Sequence, residues 1–400
     1  MTLKFNNIEL DSTADVQYKG ISLDVLKLNG TTIWEKRKQL AKYFVQTTGN
    51  TTSTQSNRYT YITDDFVTMN QITAPSDVSL NGAADTVKFV NNKFIFSSVN
   101  NTTSFMYISD DLQNYNTFGD RYYKNIVYSS VLKKYVLMSN SNYGETFISN
   151  DLSTFTATNL PHDAATSYAN YEYTRELHYV NNRLFATTYR YLRSSQETYY
   201  CIWTTDDAET WYRVIDVPYN VRENGTVIGS LNSLYDLCYT DNGIWHALGL
   251  FSPSNWSGSY KVFDASFTDF SGSYTTAYMP YPSTGSFGPS FLYGVRCLGN
   301  NLFAADQSGR LLYTFTNVAN GPTSTGYSCY SVNTSTLGTI QGRMSLDNNR
   351  FWFISNSNLN NSSGAELYFV DKVDSNNYTI TQQSYDRSSQ FIYNLLFIGR

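Results

Sequence analysis

The ten residues LHYVNNRLFA, Leu177 to Ala186, decide the fold. They read as a strand, a tight polar turn, and a second strand opened by a basic residue and carrying an aromatic. The same pattern returns as VKFVNNKFIF, Val87 to Phe96, and as MSLDNNRFWF, Met344 to Phe353. Looser copies lie at Ile126 to Met138, Leu237 to Ala247 and Val295 to Ala305. A hairpin that recurs every roughly forty to sixty residues cannot bury its faces alone, so the copies must pack on one another.

A seventh copy is divided between the ends of the chain. FIYNLLFIGR, from Phe391, stops where the turn should come, and Lys42-Tyr43-Phe44-Val45 reads as the missing half. The expectation is an all-β, seven-bladed β-propeller closed by pairing of N- and C-terminal strands, because closure removes the loose edge of an open sheet. The expected blades are Phe391 to Arg400 with Ala41 to Thr73, then Asp85 to Phe118, Lys124 to Thr158, Arg175 to Val217, Leu234 to Ala277, Leu292 to Val332, and Thr339 to Gln383.

A second mark follows the hairpins: Ser or Thr, any residue, Asp, then an aromatic or Met four positions on. It occurs at Thr63-Asp64-Asp65 to Met69, Ser109-Asp110-Asp111 to Tyr115, Ser149-Asn150-Asp151 to Phe155, and Thr205-Asp206-Asp207 to Trp211. Asp65, Asp111, Asp151 and Asp207 are expected to cap turns by accepting backbone N–H groups. These segments resemble the Asp-box of sialidase-like propellers, one residue shorter and without its turn glycine. The resemblance implies a capped turn between the two outer strands of a blade and an aromatic packed between blades. Asp264 to Phe270 keeps the aromatic but not the central Asp, and Asp371 stands without a clean partner.

Composition agrees with strands. The chain has 400 residues with 35 Tyr and 24 Phe against 28 Lys plus Arg, and aromatics suit a pleated, half-buried surface. No segment places apolar residues at helical spacing, so almost no helix is expected. A net charge of -5, with Lys36-Arg37-Lys38 the one tight basic run, gives no electrostatic case for nucleic acid. MTLKFNNIEL lacks the basic start and apolar core of a secretion signal, and no run is long enough to cross a bilayer; a soluble chain made in the cytoplasm, without membrane insertion, is expected. Cys201, Cys238, Cys297 and Cys329 lack zinc-site spacing and read as core filling. Cys238 and Cys297 occupy corresponding hairpins of adjacent blades, which leaves a disulfide open. His162, His178 and His246 have no ligand spacing, so no metal and no cofactor is expected.

Residues 1–38 do not fit the repeat and are expected to form a small N-terminal β docking module ahead of a propeller over 39–400. Ile21 to Leu28, Asn29-Gly30 and Thr31 to Trp34 spell a two-residue hairpin. LKLNGTTIWEK, Leu26 to Lys36, resembles the N-terminal segments of bacteriophage tail and fibre proteins. That resemblance implies a virion component, assembled in the host cytoplasm within a symmetric array and docked to other tail proteins through Leu28, Ile33 and Trp34. The alternative for Trp34 is packing on the underside of the propeller.

Sialidase-like catalysis needs three arginines on a carboxylate, a Tyr-Glu pair and an Asp acid near the axis. Arg175 and Arg343 stand just ahead of inner-strand patterns, but the Arg-Ile-Pro opening is absent, and Glu172, Glu176, Glu197, Glu209 and Glu223 crowd into one part of the chain. No catalytic residue is assigned on this reading, and the chain is expected to be non-enzymatic. Host attachment falls to three long loops, Asn159 to Thr174, Tyr189 to Tyr200 and Ser252 to Tyr260. Tyr171, Tyr173, Tyr191, Tyr199 and Trp256 are the candidate contacts to a host surface glycan or protein. Two alternatives stand beside it: a purely structural tail or head decoration protein, and a glycan-cleaving enzyme on a sialidase-like propeller.

Overall fold

The computed structural model describes residues 3–5, 8–10, 16–18, 21–23, 25–28, 31–35, 40–49, 58–76, 78, 87–96, 105–140, 143–163, 169–254, 261–279, 292–306, 312–316, 328–331, 339–340, 346–347, 350–356, 365–383 and 390–398. Among them the fold is all-β, without a helix, in a β-propeller arrangement.

The larger sheets are antiparallel and follow the chain. Sheet A joins Gln390–Phe397 to Tyr43–Gly49, Arg58–Thr63 and Asn70–Gln71. Sheet B holds Val87–Val90, Lys93–Phe96, Met106–Ser109 and Asn116–Phe118. Sheet C holds Tyr123–Ser129, Lys134–Ser139, Thr146–Ser149 and Thr156–Ala157. Sheet D holds Tyr171–Val180, Arg183–Leu192, Glu197–Thr205 and Trp211–Pro218. Sheet E adds Asn220–Glu223 to Thr226–Tyr239, Trp245–Pro253, Lys261–Phe267 and Thr275–Met279. Sheet F holds Leu292–Leu298, Asn301–Asp306, Leu312–Thr316 and Ser328–Ser331. In sheet G, Thr339–Ile340 and Leu346–Asp347 both pair with Arg350–Asn356, followed by Ala365–Lys372 and Tyr378–Gln383.

The core lies between sheets. Alternate residues of a strand face opposite sides, and in sheet A this sends Phe44 toward Phe94 and Phe96 of sheet B while Tyr43 and Val45 join Trp352, Leu367 and Phe369 of sheet G. Ile95 and Met106 of B pack with Tyr135 and Leu137 of C, and Val136 and Met138 of C with Leu184 and Trp211 of D. Phe185 and Ile202 of D meet Trp245 and Phe263 of E, and Phe303 of F meets Phe351 of G. Each large side chain so buried contributes about 1.5–3 kcal/mol.

Between E and F a Cys238–Cys297 disulfide joins the sheets, beside hydrogen bonds from the Asp241 N–H to the Gly299 carbonyl at 3.1 Å and from the Asn242 N–H to Asn300 Oδ1 at 2.9 Å. Core filling, the reading given to both cysteines, is corrected by the disulfide: corresponding inner-strand positions of neighbouring sheets bring the two Cα atoms to 5.5 Å. Cys201 is a free, buried thiol. The ends of the chain meet in sheet A, where Phe397 pairs with Tyr43 and Leu395 with Val45.

The Asp motifs fall at the turns between outer strands. Asp111 Oδ1 accepts the N–H groups of Gln113 and Asn114 at 2.9 and 2.8 Å, and Asp65, Asp151 and Asp207 repeat the geometry. Two readings shift. In sheet E the capping carboxylate is Asp269, which accepts the Ser271 N–H at 2.9 Å; Phe267 stands at the position that Thr205 holds in sheet D, which hid the register. Asp371 has a partner, Arg350. The N-terminal strands form three two-stranded hairpins, the last pairing Val25–Leu28 with Thr31–Glu35.

Candidate active site on the innermost strands

The first strands of B, C and D, Thr226–Tyr239 of E and the first strand of F border one another in turn, and Gln390–Phe397 of A borders B, so these strands are the innermost. Five of them carry a β-bulge four or five residues before the end of the strand. Pairing shifts between Tyr123 and Asn125, Thr174 and Glu176, Leu234 and Asp236, Leu292 and Gly294, and Ile392 and Asn394. The inserted residues are Lys124, Arg175, Tyr235, Tyr293 and Tyr393. A bulge bends its strand and re-aims the side chains beside it, and such bulges gather next to active sites.

Where sheets B to E adjoin, the residues around these bulges touch across sheets. Lys88 Nζ donates to the Lys124 carbonyl at 2.5 Å, and Asn125 Nδ2 to the Leu177 carbonyl at 3.2 Å. His178 Nδ1 lies 3.5 Å from Asp236 Oδ1 and its Nε2 lies 4.0 Å from Glu176 Oε2, so one imidazole separates two carboxylates contributed by sheets D and E. His178 is 9% exposed and its buried Nε2 has no hydrogen-bond partner. The Asp236 side chain is 17% exposed and that of Glu176 49%, which leaves Glu176 the carboxylate more open to a ligand. Asp236 Oδ1 also accepts the Leu237 N–H at 2.9 Å.

Two cations join them. Arg175 is exposed, with its guanidinium 5.8 Å from the Tyr173 ring centroid and donating to the Tyr173 hydroxyl at 3.3 Å. Burial holds the Lys124 ammonium below its ordinary pKa, the Arg175 charge adds to that, and Glu176 opposes it. Among the described residues neither Lys124 nor Arg175 forms an ion pair.

Sheet D rises beyond its bulge. The stretches read as loops at Asn159 to Thr174 and Tyr189 to Tyr200 are corrected here: Tyr171–Thr174 and Tyr189–Leu192 continue strands, paired Tyr171 to Tyr191 and Tyr173 to Tyr189. Cross-strand stacking supports them, with the Tyr171 and Tyr191 rings at 5.3 Å and those of Tyr173 and Tyr189 at 5.5 Å. Tyr171, Tyr173 and Tyr191 therefore come together on one face. Tyr199 pairs with Arg190, one residue out of step with Tyr191, so it lies on the other face, where its hydroxyl donates to Glu197 at 2.6 Å. That face also holds Glu172, which accepts from Thr188 Oγ1 at 2.6 Å and Trp203 Nε1 at 2.9 Å and lies 3.8 and 3.5 Å from Arg190 and Arg213. So many partners make Glu172 a structural carboxylate. Trp256 lies outside the described residues, as do Arg343 and the side chains of Leu28, Ile33 and Trp34.

Lys124, Glu176, His178 and Asp236 were not among the residues assigned a role from sequence. Lys124 is itself a bulge residue, Glu176 and Asp236 directly follow one, and His178 lies two residues beyond Glu176, so all four are placed by the bulge register, which is a pairing property.

No protein-family model matches the chain, and no curated protein matches it. Solved structures do, in fold. An α-L-arabinanase of Penicillium chrysogenum, solved with arabinobiose, is 13% identical with a TM-score of 0.43 over 74% of this chain and 95% of its own. A periplasmic gluconolactonase of Pseudomonas aeruginosa is 11% identical with a TM-score of 0.45 over 86% of this chain and 100% of its own. A subtype N11 neuraminidase-like protein of A/flat-faced bat/Peru/033/2010 (H18N11) is 12% identical with a TM-score of 0.32 over 77% of each chain. The expectation of a non-enzymatic chain is corrected by this set, which consists mostly of enzymes, arabinanases and arabinofuranosidases foremost. The likeness is one of fold, and residue roles rest on this chain's own geometry.

Proposed function

We propose that sheets A to G are the seven blades of one closed ring and that this ring cleaves glycans at its innermost strands. The observation that carries the reading is the Glu176–His178–Asp236 array, two carboxylates held apart by a single imidazole. Two carboxylates set apart in this way fit the roles of acid and base, which in inverting enzymes act across a glycosidic bond at roughly 6.5–9.5 Å. Asp236, whose Oδ1 accepts the Leu237 N–H, takes the proton of the attacking water as the water oxygen bonds to the anomeric carbon. The C–O bond to the leaving sugar breaks, and Glu176 gives that oxygen a proton. Lys124 and Arg175, which form no ion pair among the described residues, favour a substrate with an acidic sugar, and the tyrosines of sheet D offer it apolar faces. The test is release of reducing ends from acidic polysaccharides and bacterial envelope glycans. Glu176→Gln and Asp236→Asn should each lower the rate about 10²–10⁴-fold; wild-type protein that releases nothing, or variants as active as wild type, overturn the assignment.

A second observation favours a docking role for residues 1–38. Three two-stranded hairpins, none hydrogen-bonded to sheets A to G among the described residues, bury too little surface to stand alone. We propose that they seat the ring on other virion tail proteins, with Leu28, Ile33 and Trp34 as the contacts, in a virion assembled in the host cytoplasm, where the ring meets the host surface glycan. Deleting residues 1–38 should leave a folded, active ring that no longer enters particles, and particles that incorporate the truncated chain would end that reading.

A further inference from the structure

A cavity of about 340 Å³ opens at the hairpin turn of sheet D, the end of Tyr171–Val180 opposite its bulge. Trp245 and Phe270 of sheet E and Leu184 line it, with Leu132 from the turn of sheet C. Its polar rim is Asn181, Asn182 and the Arg183–Asp206 pair, 2.7 Å apart. The Arg183 guanidinium stacks 4.2 Å over the Phe270 ring and its Nε donates to Thr204 Oγ1 at 2.8 Å, which fixes the plane of the fork.

The repeat explains why this boundary is open. Between sheets B and C the corresponding residues are Asn91, Lys93, Asp110, Tyr128 and Tyr135. Lys93 pairs with Asp110 at 2.8 Å, Tyr128 packs on Tyr135 at 4.7 Å, and Asn91 Nδ2 donates to the Tyr135 hydroxyl at 2.7 Å, so amide and hydroxyl satisfy each other across the boundary. Between D and E, Tyr239 packs on Trp245 at 4.4 Å in the same manner. An indole carries no hydroxyl for Asn181, and the space remains.

We infer that this cavity binds one ring of a neutral sugar, a second glycan site separate from the innermost strands. An indole and a phenyl ring match the C–H face of a sugar, while a fixed guanidinium, a carboxylate and two amides offer both donors and acceptors to adjacent hydroxyls. A peptide aromatic would cover those polar groups without satisfying them, and an inorganic anion would meet the Asp206 carboxylate. The ligand class deepens the glycan reading, and the experiment separates the two sites. The full-length protein is titrated with the methyl glycosides of glucose, galactose, mannose and arabinose at millimolar concentration, followed by saturation-transfer NMR. At least one should bind. Trp245→Tyr, which restores the hydroxyl found between B and C, and Asn182→Gly, which keeps the left-handed turn (φ 61°) but removes the amide, should each weaken binding by about tenfold or more. Glu176→Gln should bind as wild type does. Absence of binding by all four glycosides, binding that survives in both cavity variants, or binding lost only in Glu176→Gln would overturn the site.

Discussion

At the scale of single residues, the turn carboxylates show how a short motif becomes a measurable stability term. Asp111 accepts two backbone N–H bonds and one from the Asn114 side chain, and those bonds lower its pKa to about 2, the backbone amide of Asn114 first. A folded-state pKa below the unfolded value means stabilisation that is present above about pH 4 and lost as pH falls toward 2. The carboxylate is exposed, so solvent screening keeps the effect modest. Asp111→Asn should cost about 1 kcal/mol at pH 7, read as a lower urea midpoint, with the difference from wild type vanishing near pH 2. A difference that stays constant with pH would show that charge plays no part. The residue after each Asp is itself informative. Phe66, Leu112, Leu152 and Ala208 hold φ of 63, 59, 63 and 68°, where a glycine would be unstrained, yet all four are buried. Packing against the core outweighs the cost of the left-handed backbone, and this is why the missing turn glycine does not undo the turn.

At the scale of elements, what the sequence made legible was local and what it hid was register. Asn91-Asn92 and Asn181-Asn182 mark turns because both residues of each pair take positive φ, so those hairpins could be read directly. The strand extension of sheet D was also readable in principle, since Tyr171 with Tyr173 and Tyr189 with Tyr191 alternate at the period of a strand; the abundance of tyrosine made them look like loop residues instead. Bulges are different. They exist only relative to a partner strand, so Lys124, Arg175 and their neighbours could not be placed from one strand's pattern. The disulfide shows the same boundary: sequence put Cys238 and Cys297 in equivalent hairpins, and only the approach of two innermost strands joined them. The cross-link spans a sequence separation of 59 residues, for which the chain-entropy account gives about 4 kcal/mol. Cys297→Ser should therefore lower the melting temperature, and wild type treated with a reductant should fall to the same value. Equal melting with and without reductant would remove the bond from the stability of the ring.

At the scale of the whole molecule, sheet A is the closure. Its inner strand comes from the C-terminus and its other three from the segment after the N-terminal hairpins, with Leu395 paired to Val45 and Leu396 to Phe44. The clusters on either side of it, Phe44 with sheet B and Tyr43 and Val45 with sheet G, bury side chains on both faces of the same strand. Loss of residues 390–400 would bare an edge with unpaired N–H and C=O groups together with part of the Tyr43 cluster, including Ile392 and Leu395. Connectivity alone, by contrast, should matter little, because a ring has no structural beginning. A permutant that starts at Gln390, runs through Arg400 and a short Gly-Ser linker into Leu40, and ends at Gln383 makes all four strands of sheet A contiguous. It should fold and melt cooperatively within a few degrees of a chain that begins at Leu40, whereas simple deletion of 390–400 should yield aggregated protein. A permutant as unstable as the deletion would show that the pairing of Gln390–Phe397 with Tyr43–Gly49 does not close the molecule.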